Sequence, residues 1–128
     1  MNRKCAPVSA ILILLITLMG CSKVTDSSQL YGTYEARHEA GVETLKLNPD
    51  GTYTHFFKAT DQTESSHSDK WNFEPYNGDP KVSLQNFSAH FPQSSHGPGV
   101  TLLGIERELG KTRLYLNYDR GEFYSKTR

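Results

Sequence analysis

Five histidines, His38, His55, His67, His90 and His96, are the side chains of this sequence best suited to acid–base or metal chemistry. An imidazole gains and loses charge near neutral pH and ligates metals when neutral. Their spacing gives no His-x-His or His-x₃-His pair, and no Cys-x-x-Cys accompanies them. His90 and His96 flank the loop Phe91-Pro92-Gln93-Ser94-Ser95 and could meet if it folds back, which makes them weak metal candidates. Otherwise the set reads as solvated loop and edge histidines. Among the acids, Glu106 and Glu108 share one strand face, as do Glu35 and Arg37, the pattern of a solvated sheet face rather than of paired carboxylates. No Gly-x-Ser-x-Gly elbow is present, and Gly97-Pro98-Gly99 lacks the Lys-Ser or Lys-Thr of a phosphate cradle. The sequence therefore assigns no catalytic residue and no cofactor, and the chain reads as a non-enzyme. Phe56 and Phe57 are adjacent, so in a strand they point to opposite faces and one leaves the core. With Tyr76 they are the candidate contacts for a ligand or partner.

Short strands must position these residues. From Leu30 onward β-rich runs alternate with turn chemistry, and no window keeps a helical period. Strands are predicted at Leu30–Arg37, Val42–Leu47, Thr52–Ala59, Asp69–Glu74, Lys81–Phe91, Val100–Leu109, Thr112–Tyr118 and Glu122–Lys126. Asn48-Pro49-Asp50-Gly51, Asn77-Gly78-Asp79-Pro80, Gly110-Lys111 and Asp119-Arg120-Gly121 supply the reversals. Alternation then places Leu45 with Leu47, Trp71 with Phe73, Val82 with Leu84, and Leu114 with Leu116 and Tyr118 on core faces. Within Lys81–Phe91 the apolar parity switches to Phe87, Ala89 and Phe91, which predicts a bulge or bend near Gln85-Asn86. Neighbouring strands with short loops pair in sequence. The fold class is all-β, a single small antiparallel meander of about eight strands curling into a barrel, which removes its open edges.

Ahead of this domain, Arg3 and Lys4 precede the apolar run Val8–Met19, the charge-then-apolar order of a secretory signal. The run is too short for the roughly 20 apolar residues that cross a bilayer. It closes on Leu18-Met19-Gly20-Cys21, which resembles the lipobox of bacterial lipoproteins. The resemblance implies cleavage between Gly20 and Cys21, a diacylglycerol thioether on Cys21, and a chain held to the bilayer by that lipid. Residues 1–20 then form a signal peptide, 21–29 the lipidated cysteine with a flexible linker, and 30–128 the barrel domain. Loss of Arg3, Lys4 and Cys5 leaves no partner for a disulfide, and the acidic residues outnumber the basic by two. Nothing in that balance is a footprint for nucleic acid.

The runs Leu30-Tyr31-Gly32-Thr33-Tyr34, Thr44–Thr54 and Lys70-Trp71-Asn72-Phe73 further resemble the lipocalin-like domains of small bacterial lipoproteins. Lipocalins open on Gly-x-Trp where this chain has Gly32-Thr33-Tyr34, so the resemblance implies the barrel rather than a deep ligand cavity. The expectation is an envelope module, lipid-anchored in the outer membrane and facing the periplasm, that binds a small apolar ligand or an envelope protein. Two alternatives stand beside it: an inhibitor or immunity-type lipoprotein blocking an envelope-targeting enzyme, and a small metal-binding protein or hydrolase using the histidines.

Overall fold

Period-two alternation from Gly32 onward folds into eight antiparallel strands that close on themselves in sequence order. The computed structural model describes residues 23–75, 78–94 and 99–128; Gly20, Cys21, Tyr76 and His96 lie outside them. The strands are β1 (Gly32–His38), β2 (Gly41–Leu47), β3 (Thr52–Ala59), β4 (Glu64–Glu74), β5 (Lys81–Gln85), β6 (Val100–Glu108), β7 (Lys111–Asn117) and β8 (Glu122–Lys126). β1 pairs with β8 at Tyr34↔Lys126 and Glu35↔Ser125, which shuts the barrel. Its lower end gathers Gly32, Leu47, Lys111 and Lys126; its upper end gathers His38, Gly41, Ala59 and Glu122. Among the described residues no helix is long and apolar enough to cross a membrane.

Turn chemistry sets the register where the sequence is most explicit. At Asn48–Gly51 the Gly51 amide donates to the Asn48 carbonyl, and Gly51 takes a φ of 84° that a side chain would resist. Asp50 Oδ1 accepts from both the amide and the hydroxyl of Thr52, at 3.0 and 2.6 Å. The reversal fixes Leu47 opposite Tyr53, and with it the inward set Leu45, Leu47, Tyr53 and His55. Around it Tyr34, Leu84, Phe87, Leu103, Leu114 and Tyr124 are fully buried and fill the barrel. Each such side chain contributes roughly 1.5–3 kcal/mol of apolar burial.

Four sequence expectations are corrected. The strand expected from Leu30 starts at Gly32: Ser27–Leu30 forms a 3₁₀ turn whose Gln29 side chain accepts from the Thr25 and Asp26 amides, and Val24 and Leu30 are buried. β4 starts at Glu64 rather than Asp69, because its first half carries polar side chains with no apolar alternation to reveal it. The chain leaves the ladder after Gln85, with Asn86 at a φ of 53°, so Phe87, Ala89 and Phe91 enter the core from a coil rather than from a strand. Tyr118 lies outside, not in the core. A bulge between Tyr115 and Asn117 inserts one residue in β7 and reverses the faces beyond it. The Tyr118 ring stacks on Tyr115 at 4.2 Å and rests over Gly104, where a Cβ would lie 2.5 Å from its hydroxyl.

Candidate functional site

A carboxylate stands inside the upper end of this apolar barrel. The face that carries Leu45 and Leu47 also carries Glu43, which is completely buried. In register it lies opposite Ala36 on β1 and Phe57 on β3, so its diagonal neighbours on those strands are His38 and His55. His38 Nε2 donates to Glu43 Oε2 at 2.7 Å, and His55 Nε2 to Oε1 at 2.8 Å. Oε1 also accepts from the Tyr124 hydroxyl at 3.0 Å and from the His90 amide at 3.1 Å. The Ala40 amide donates to His38 Nδ1 at 3.3 Å, which leaves Nε2 as the protonated nitrogen of that ring.

Charge follows from these contacts. Burial pushes the Glu43 carboxyl up, but the hydrogen bonds from His55, His38 and the His90 amide outweigh it, so the group is held below the ordinary glutamate value. Tyr124 is driven the other way, well above an ordinary phenol, by burial and by the adjacent Glu43 charge. His90 is lowered, first by burial and against the pull of Glu43. Every oxygen of the carboxylate is spoken for, and none faces water.

The segment after β5 covers this cluster. Phe87 lies against His55, Tyr53 and Tyr124, and Phe91 against His38 and Tyr124, with ring centroids 4.5 to 6.1 Å apart. The His90 ring stacks flat on Phe57 at 4.0 Å. Ser94 donates to Glu122, and Arg120 to the Gln93 carbonyl, which fasten the far end of the segment to the rim.

The structure thus redistributes the candidates read from sequence. His38 and His55, expected in water, are core side chains bound to Glu43, because they share inward parity with Tyr34 and Tyr53. His67 is exposed, and its ring approaches Tyr53 at 6.0 Å. Phe57 faces inward onto His90, while Phe56 points outward between Thr44 and Ser66. His90 and His96 cannot be compared as a pair, since His96 lies outside the described residues, as does Tyr76. Among the described residues no group of three or more His, Cys, Asp or Glu side chains is placed to hold a metal ion.

Beside the cluster runs a surface cleft of about 210 Å³ lined by His55, Ser65, Ser66, His67, Asn86, Ser88 and His90. It follows from the strand pattern. β4 pairs with β3 along Thr52↔Lys70 to Lys58↔Glu64, but with β5 only from Trp71↔Leu84 to Glu74↔Lys81. Among the described residues the stretch Glu64–Lys70 therefore has no strand on its second side, and the coil Asn86–His90 flanks it without a backbone ladder. Asn86 Nδ2 donates to Asp69 Oδ2 at 2.9 Å across the lower end of the gap. Comparisons with protein-family models, curated proteins and solved structures find no match to this chain.

Proposed function

We propose that this chain is a lipid-anchored envelope lipoprotein whose barrel is a non-enzymatic binding module for an extended segment of a protein partner. The observation that carries the reading is the one-sided stretch Glu64–Lys70 beside the histidine-lined cleft. A strand edge offers a row of amides and carbonyls to an added strand, and alternate side chains of the guest then enter adjoining pockets. The filled interior supports a protein partner over a small apolar ligand held inside the barrel. The enclosed Glu43 supports a structural role for the histidines over a catalytic one, since a carboxylate without exposure cannot touch a substrate.

Two experiments test the reading. Cys21→Ala is expected to move the protein out of the membrane fraction or leave it uncleaved; equal retention of both forms after alkaline wash refutes the anchor. A photo-reactive residue at Ser66 or His67 is expected to capture one envelope protein in cells, whereas the same group at Thr44, on the outer face of the ladder, captures none. Equal capture at both places refutes the edge as the binding surface.

A further inference from the structure

The lower end of the barrel differs from the upper in charge and in what sits at its rim. Towards the upper end the cations among the described residues are only Arg37, Lys58 and Arg120, against Glu39, Glu43, Asp61, Glu64, Asp119 and Glu122. The nine remaining cations lie in the lower half with the eight remaining acids, among them Glu106 and Glu108 beside Leu109, so the lower half carries a small cationic excess where the upper end is acidic. Two of these cations, Arg107 on β6 and Lys126 on β8, sit on strand faces that carry core residues. Among the described residues neither has a carboxylate at ion-pair distance. Arg107 Nε is buried without any hydrogen-bond partner, while Lys126 Nζ donates to the Gln29 carbonyl at 3.2 Å and lies over the Tyr34 ring at 6.0 Å. Burial and the nearby Arg107 charge hold the Lys126 ammonium below the ordinary lysine value, so the two cations share one locality. An unpaired buried donor such as Arg107 Nε is costly unless an acceptor reaches it, and a second cation beside it favours an anion in that place.

The turn at this end has the wrong residue for its geometry. Leu109 and Gly110 join β6 to β7 with φ of 51° and 77°, the two-residue reversal that favours Asn-Gly. Leucine there adopts a left-handed backbone at a cost of about 1 kcal/mol, and its side chain is 79% exposed at the tip. Neither the turn nor the core gains from it.

We infer that the lower end is a membrane-contact face, on which Arg107 and Lys126 take lipid headgroup phosphates while Leu109 enters the interface. The inference rests on the proposed lipid at Cys21. Val24 is buried at this end, and Cys21 is three residues before it, so chain length alone holds the Cys21 Cα within about 11 Å of the Val24 Cα. A lipid on that cysteine brings the lower end against the headgroups and turns the histidine-lined cleft away from them.

The test uses the full chain, lipidated at Cys21 and reconstituted in vesicles containing phosphatidylglycerol, with an environment-sensitive dye attached through Leu109→Cys or, separately, Asp61→Cys. Both positions are exposed, so neither label disturbs the core. The dye at 109 is expected to shift to the blue and be shielded from acrylamide, and the dye at 61 to behave as in water. Screening the charges with about 1 M salt should lower the ratio of docked to undocked protein roughly fivefold for each phosphate that a cation of this face holds. Vesicle-bound protein with both dyes equally accessible, or shielding indifferent to salt, overturns the inference and leaves the anchor standing. Protein that stays off the vesicles with a free Cys21 thiol overturns the anchor, and this inference with it.

Discussion

Glu43→Ala is expected to cost about 3–5 kcal/mol, the scale of a buried charge network that loses its central partner. The substitution strips an acceptor from His38, His55, the Tyr124 hydroxyl and the His90 amide together, in a place water does not reach. A domain of this size holds only about 5–15 kcal/mol in all, so the variant should unfold at far lower urea than the parent. Glu43→Gln keeps one acceptor oxygen and should fall between the two. The pH dependence has a definite sign. A carboxyl lowered in the folded state adds stability that is present above the unfolded value, near 4.5, and is lost as pH falls through the folded value. Acid unfolding of the parent should therefore steepen below about pH 4.5, and that limb should flatten in Glu43→Gln. An unchanged urea midpoint in Glu43→Ala, or identical acid limbs in parent and Gln variant, contradicts the network.

Trp71→Ala should be as damaging, at about 3–5 kcal/mol. Trp71 is buried on the inner face of β4, where Tyr31 packs edge-on at 6.0 Å. Its indole Nε1 donates to the Asn48 carbonyl at 2.9 Å, tying the β4 ladder to the β2–β3 turn. The alanine leaves a cavity next to Leu84, its partner on β5, and removes one of the two donors to the Asn48 carbonyl, leaving only the Gly51 amide. Trp71→Phe restores much of the volume but not the hydrogen bond, and should lose only about 1 kcal/mol beyond its smaller area. Melting curves of the two variants that coincide with the parent would place Trp71 outside the core.

Most strand positions were legible because each inner face alternates with polar residues, as in Leu45-Lys46-Leu47 and Arg113-Leu114. The Glu43 cluster was half legible. Extending the Leu45 parity by one step puts Glu43 inside, and the same parity from Tyr34 and Tyr53 reaches His38 and His55. The inner faces of β1, β2 and β3 run on from their apolar residues into His38, Glu43 and His55, and polar side chains there look like solvated ones. Tyr124 could not be foreseen as a partner, since it reaches Glu43 only through closure of the barrel, 81 residues along the chain. The outward turn of Tyr118 depends on one inserted residue in β7, which alternation alone does not announce. Nor does a polar run such as Glu64–Lys70 declare which of its sides will stay unpaired.

The seam between β1 and β8 carries a kinetic consequence. Seven of the eight junctions join strands that follow one another in sequence, and those with tight turns, such as β2 with β3 and β6 with β7, close within microseconds. The eighth joins Tyr34 to Lys126 and is extended by bonds from the Thr33 amide to the Arg128 carbonyl and from the Thr127 amide to the Thr33 carbonyl. Until β8 arrives, β1 presents a bare edge and Glu43 lacks its tyrosine. A chain that emerges from its N-terminus onward thus spends nearly its whole emergence as an open, curling ribbon. Its slowest step is the long loop closure that completes the ring, and a holding chaperone that caps β1 meanwhile should raise the yield without changing the final stability.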